Sequence, residues 1–200
     1  MLNGTLKNKK KVFLTFVTLW LSLIFLYLLN KGMHNSTKNI TSSPLVGKKA
    51  PDFSLRSINQ IDKSNFALRD FKGQWIVLNF WASWCTSCRA ESKVLESFYK
   101  KYAKQGAVVL AIATQDEFED ASFVAKKLGK SYKIAMDSKG DTALNYGVTG
   151  VPETFIIDKK GVIVYKHVGP ITLELLEKHT SEFFATNPKL EEGASHVSNG

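Results

Sequence analysis

Cysteine is scarce in this sequence. Among 200 residues there are two, Cys85 and Cys88, and only four histidines. A tetrahedral zinc centre takes about four ligands. The chain is poorly supplied for one, because His34 and His196 fall in segments that read as tethers and His167 and His179 share no metal-type spacing. Residue 89 is arginine, so the C-x-x-C-H needed for covalent haem attachment is absent. No internal repeat and no dense basic block is present. Four of the 27 Lys and Arg sit in the first thirty residues, where there is no acid at all, and the remaining 23 face 18 Asp and Glu. That balance describes a solvated basic surface and excludes a nucleic-acid interface as the working reading.

Charge, proline and glycine are all missing from residues 12–29, "VFLTFVTLWLSLIFLYLL". Eighteen helical residues span about 27 Å, close to the hydrocarbon thickness of a bilayer. No small-x-small cleavage pattern follows in "NKGMHNST", which sets the stretch apart from a cleavable signal peptide. Lys7, Lys9, Lys10 and Lys11 precede it, so the positive-inside rule places the N-terminus in the cytoplasm and the rest of the chain outside. The expected organisation is a basic N-terminus (1–11), a transmembrane signal anchor (12–29), a flexible Ser/Thr/Asn-rich tether (30–44), one folded domain (45–186) and a disordered tail (187–200).

Within that domain the elements alternate. "QWIVLNFWA" (74–82) and "AVVLAIAT" (107–114) are near-continuous apolar runs, the pattern of strands buried on both faces. Between them Glu91, Val94, Leu95, Phe98 and Tyr102 recur at helical spacing, with Gly106 as a stop. A second helix is expected over 116–129, then a hairpin from "ETFIID", "DKKG" and "VIVYKHV", then an amphipathic helix from Thr172 to about Thr186. Strand–helix–strand of this kind makes a right-handed parallel unit. The expected fold is a three-layer α/β/α sandwich with a mixed sheet.

The two cysteines therefore fall where a buried strand ends and a helix begins. Free backbone N–H groups and the positive end of the helix dipole stabilise a thiolate there. Cys85 at the helix start is the expected nucleophile, and Cys88, one turn inside, the resolving thiol. A purely structural disulfide is the competing reading, but so short a loop constrains little chain entropy.

With those residues in view, "FWASWCTSCRAE" resembles the active-site segment of thioredoxin-like proteins, and "GVTGVPETFIIDKKGVIVYKHVG" their proline loop and hairpin. "VGKKAPDFSL" and "LRDFKGQWIVLNFWASWC" are similar to the membrane-anchored subgroup of the TlpA, ResA and CcmG (DsbE) type, which serves cytochrome c maturation. The likeness covers roughly residues 45 to 185. It implies that Pro152 is a cis-proline presenting the Val151 backbone to a substrate, with Trp84 shaping the same surface. It implies proton-handling roles for Glu91 and Glu153. Two departures stand out: Asn79 replaces the buried Asp of cytoplasmic thioredoxins, and Thr86-Ser87 lacks the proline common between such cysteines.

The resemblance implies an extracytoplasmic thiol:disulfide oxidoreductase without cofactor. Its expected partners are apocytochrome c or the chaperone that holds it, and a membrane thiol donor of the CcdA/DsbD kind. A general envelope disulfide oxidase or isomerase and a non-catalytic thioredoxin-fold binding module remain as alternatives. A peroxiredoxin-like peroxidase shares the "GKKAPDFSL" opening but needs T-x-x-C, where this chain has Ala82, Ser83 and Trp84 before Cys85.

Overall fold

The computed structural model describes residues 3–34, 43–58 and 65–185. The tail expected over 187–200 and most of the expected tether lie outside the described residues. The chain divides into two units, residues 1–39 and 40–200. The first is a helix, α1 (Asn3–His34). The second holds β1 (Ser54–Ser57), β2 (Asn65–Ala67), β3 (Trp75–Trp81), α2 (Thr86–Tyr102), β4 (Ala107–Thr114), α3 (Phe118–Lys127), β5 (Lys133–Asp137), α4 (Asp141–Asn145), β6 (Glu153–Ile157), β7 (Ile163–Val168) and α5 (Leu173–Ala185).

Helix α1 runs well past both ends of the expected 12–29 stretch. Among the described residues no helix is long and apolar enough to cross a membrane, so the expected transmembrane helix is not met within them. The described side chains of the stretch run from Phe13 to Leu28, sixteen positions. They are apolar on every side and exposed, Phe13, Trp20, Phe25 and Tyr27 among them. The few hydroxyls turn back on the helix, Thr18 donating to the Thr15 carbonyl (3.0 Å) and Ser22 to that of Thr18 (2.9 Å).

In the second unit seven strands form one sheet in the order β2-β1-β5-β4-β3-β6-β7. Strands β3, β4 and β5 are parallel, while β6 and β7 at one side and β1 and β2 at the other run antiparallel to their neighbours. The central strands are apolar on both faces because both faces are covered. Val77 and Trp81 of β3 pack under α2, α3 and α5, with Leu95, Phe98, Ala121, Ala125 and Leu176. Ile76, Leu78 and Phe80 point the other way, toward Phe53, Leu68, Phe71, Ala143 and Tyr146. The third layer is thin: α4 has five residues, and the 3₁₀ turn Leu68–Phe71 supplies the remainder. The mixed-sheet α/β expectation holds, with β1, β2, β5 and α4 added to the strands and helices read from sequence.

Helix α2 ends as its sequence dictates. After Tyr102 a short 3₁₀ turn leads to Gly106, whose φ of +88° suits a residue without a Cβ. In α3 the buried positions are Ala121 and Ala125, and Phe123 is exposed.

Candidate active site

Strand β3, flanked by β4 and β6, ends on the buried side chain of Trp81. The chain then turns through Ala82–Trp84 into α2, and Cys85 caps that helix in extended geometry (φ −79°, ψ 111°). Its Sγ accepts the Cys88 backbone N–H at 3.1 Å, and the Ser87 hydroxyl lies 3.4 Å away. Cys85 and Cys88 are disulfide-bonded, with Cα atoms 5.3 Å apart. Both are buried, Cys88 (2% exposed) more deeply than Cys85 (6%). On reduction the Cys85 sulfur keeps two donors and the N-terminal end of a 17-residue helix beside it, which favours the thiolate.

The proline loop closes over this sulfur. The Val151–Pro152 bond is cis, as the resemblance implies, and the Val151 carbonyl oxygen lies 3.7 Å from Cys85 Sγ. Pro152 is buried and Val151 half-buried, while Trp84, the residue before Cys85, stands 58% exposed. The Trp84 indole N–H donates to the Gln115 carbonyl (2.8 Å), and Gln115 holds a positive φ of 51° to present it. Next to it the Asp116 carboxylate accepts from the Ser83 backbone N–H and from the Ser83 hydroxyl (2.8 Å). The β4–α3 loop thus clamps the turn that leads to Cys85. Sequence reasoning missed Ser83, Gln115 and Asp116, whose significance lies in a contact across 33 positions of chain.

Glu91 is three residues past Cys88 and on the same helical face. It is not a surface acid but 3% exposed. Its Oε1 accepts the Ile171 N–H (2.7 Å) and its Oε2 the Asn79 amide (3.1 Å). Asn79 also donates to the Thr154 hydroxyl (3.0 Å), so the amide that replaces a buried Asp ties Glu91 to the sheet. Burial pushes the Glu91 carboxyl up to about 7, against the pull of the Ile171 N–H, the Asn79 amide and the Lys130 charge.

Glu153 sits on the other face of the sheet. In the β3–β6 register Asn79 pairs with Thr154, whereas Glu153 pairs with Phe80, which points away from α2. Glu153 is completely buried; its Oε1 accepts from the Thr149 N–H (2.9 Å) and hydroxyl (2.8 Å), and Lys166 Nζ lies 2.7 Å from Oε2. Lys166 in turn donates to the Gly147 carbonyl (2.9 Å). The structure brings Cys85, Cys88, Trp84, Val151, Pro152 and Glu91 to one locus and holds Glu153 behind the proline loop.

The raised Glu91 carboxyl has a measurable consequence in the oxidised protein. The folded chain keeps that proton up to about pH 7, and the unfolded chain releases it near 4.5. Between these values the folded state binds more protons, so this stabilising contribution is complete below about pH 4.5 and lost as pH rises through about 7. Urea unfolding should show the stability advantage of wild type over Glu91→Gln shrinking between about pH 5 and about pH 7.5. An advantage that grows across this window would contradict the burial argument.

The chain is similar to known proteins. Residues 46–166 match the AhpC/TSA family, a span that includes Cys85, Cys88, Glu91 and the proline loop. A thiol:disulfide interchange protein DsbE of Vibrio cholerae is 37% identical over 166 residues, covering 82% of this chain and 88% of its own. A thiol-disulfide oxidoreductase ResA of Bacillus thuringiensis is 33% identical over 135 residues, 67% of this chain and 76% of its own. A solved Chlorobium tepidum structure described as a thiol:disulfide interchange protein DsbE superposes with a TM-score of 0.64 at 33% identity, covering 69% of this chain and 96% of that one. The chain belongs to the AhpC/TSA family, and with its Cys85–Cys88 pair it is a thiol-disulfide oxidoreductase of the DsbE/ResA type.

Proposed function

We propose that this oxidoreductase is a reductant working outside the cytoplasm, whose substrate is the disulfide of the haem-binding cysteine pair in apocytochrome c, or of the chaperone that holds it. What supports the reading most is the placement of the dithiol pair against the Val151–Pro152 loop with a buried carboxylate one turn on from Cys88. The cytochrome-maturation group that the sequence resembles, and the DsbE and ResA relatives, point the same way.

In this reading the partner segment lies along Val151 and over Trp84. The Cys85 thiolate attacks one partner sulfur, forming the mixed disulfide and releasing a partner thiolate that takes a proton from water. Cys88 passes its proton to Glu91 and its sulfur attacks Cys85 Sγ, releasing the second partner thiolate. Two electrons have then moved to the partner, and the Cys85–Cys88 bond has formed. For Glu153 we propose a holding role in place of proton transfer, since Thr149 and Lys166 occupy both its oxygens. A membrane thiol donor of the CcdA/DsbD kind returns the electrons, and no further cofactor is needed. We also propose that the N-terminal stretch anchors the chain in a bacterial cytoplasmic membrane; the support is the uncharged run 12–29 behind four lysines.

The test is the reduction potential of the full-length chain equilibrated against thiol buffers, on protein recovered from the membrane fraction. A value in the thioredoxin range near −270 mV supports a reductant, and one near −120 mV makes the protein a disulfide donor instead. Recovery of the intact chain in the soluble fraction would refute the anchor.

A further inference from the structure

We propose that Lys130 is a positioning residue of this site: placed under Trp81 and facing Glu91, it pulls Glu91 toward the carboxylate form that accepts the Cys88 proton. The proposal rests on the reading of Glu91 as that acceptor.

Lys130 comes from the loop after α3, in the run "KKLGKSYK". Gly129 turns the chain with a φ of +64°, and the Lys130 N–H donates to the Ala125 carbonyl (3.1 Å). The side chain then runs inward. The residue is 7% exposed, and its Nζ lies 3.1 Å from the centroid of the fully buried Trp81 ring. Lysine is almost never buried to this extent unless something balances its charge. The ring face of Trp81 is one such partner, worth more when water is excluded. The charged groups facing Lys130 are Glu91 from α2 and Asp116 from the β4–α3 loop. The Tyr132 ring stands 6.0 Å away on the approach to β5.

Among the described residues the charge that acts on Glu91 is that of Lys130. The two hydrogen bonds to Glu91 come from the Ile171 N–H and the Asn79 amide, neither of which carries charge. Tyr132 also faces Glu91, and burial with the nearby Glu96 and Glu91 charges holds that phenol in its protonated form. Burial depresses the Lys130 ammonium to about 7, while Glu91 and Asp116 pull it back toward the charged form. An isolated carboxylate in such a place would take up a proton.

The protonation state matters at one step. When the mixed disulfide resolves, the Cys88 S–H bond breaks, the proton goes to Glu91, the Cys88–Cys85 bond forms and the Cys85–partner bond breaks. A Glu91 that is already protonated cannot take that proton. Lys130 acts on this step alone, because Cys85 attack draws on the α2 N-terminus and on Ser87.

The experiment uses the full-length protein in detergent with Lys130→Met, Lys130→Arg and Glu91→Gln. The Glu91 carboxyl is titrated by NMR of ¹³C-labelled glutamate. The reduced protein is also mixed with a small aromatic disulfide, whose first thiolate reports Cys85 attack and whose second reports Cys88 resolution. A nearby opposite charge favours the ionised carboxyl. Lys130→Met should therefore raise the Glu91 titration and slow the second release several-fold at neutral pH, recovering as pH rises. The first release should stay unchanged, and Lys130→Arg should behave as wild type. A Glu91 titration that stays in place in Lys130→Met overturns the proposal and leaves Lys130 a packing residue. If Glu91→Gln leaves the second release unchanged, the acceptor role of Glu91 fails instead.

Discussion

Replacing Cys85 by serine should abolish disulfide exchange, while replacing Cys88 by serine should leave the first half of the reaction running and trap the partner. The asymmetry comes from position. Cys85 caps α2, keeps the Cys88 N–H and the Ser87 hydroxyl as donors, and faces the Val151 carbonyl at the rim of the domain. A serine hydroxyl there is not appreciably ionised at neutral pH and does not attack a disulfide. Cys88 is the deeper sulfur, one turn inside the helix. In Cys88→Ser the Cys85–partner bond forms and nothing resolves it. Non-reducing electrophoresis of cells expressing Cys88→Ser should show a mixed-disulfide band that disappears with dithiothreitol and is absent from Cys85→Ser. Mass spectrometry of that band identifies the partner, and apocytochrome c or its chaperone is the expected result. A band that persists in Cys85→Ser would make Cys88 the nucleophile and reverse the roles assigned here.

The parts of this site that were legible in the sequence are the local ones. Cys85 and Cys88 are bracketed by a buried strand and a helix whose apolar stripe is plain, so their place at the N-terminus of α2 follows from one continuous stretch, residues 74–102. Glu91 already lay on that stripe with Leu95, Phe98 and Tyr102, and its burial is the structural meaning of that position. Gly106 marked the end of the helix for the same kind of reason. What escaped is held together by contacts between distant segments. Strands β1, β2 and β5 are three to five residues long and owe their conformation to pairing with neighbours. Lys130 stands in a lysine-rich stretch where no local pattern distinguishes the one that turns inward. Asp116 and Ser83 acquire their role only when the β4–α3 loop meets the turn before Cys85. The two glutamates show the limit from the other side. The resemblance grouped Glu91 with Glu153, and the β3–β6 register separates them onto opposite faces.

That separation leads to the second large effect. Lys166→Met should destabilise the oxidised protein by about 3–5 kcal/mol, the usual cost of leaving one member of a buried ion pair alone. Glu153 has no access to water, and Lys166 is the cation in contact with it, 2.7 Å from Oε2 and packed over the Phe155 ring. With the ammonium gone, the carboxylate keeps only the Thr149 N–H and hydroxyl. Adding Glu153→Leu to Lys166→Met removes the stranded charge as well, and most of the loss should return, since apolar replacement of a buried pair is often neutral or better. Denaturant midpoints of the wild type and of the single and double variants measure this coupling directly. Equal stability of the single and double variants would mean that the pair contributes no attraction. The effect should also reach the chemistry. Glu153 fixes Thr149 and Lys166 fixes the Gly147 carbonyl, so together they hold the stretch of chain that leads into Val151 and Pro152. A double variant that regains its stability should therefore still reduce its partner more slowly than wild type, because the loop that presents the substrate has lost its fixed points while the thiols have not changed.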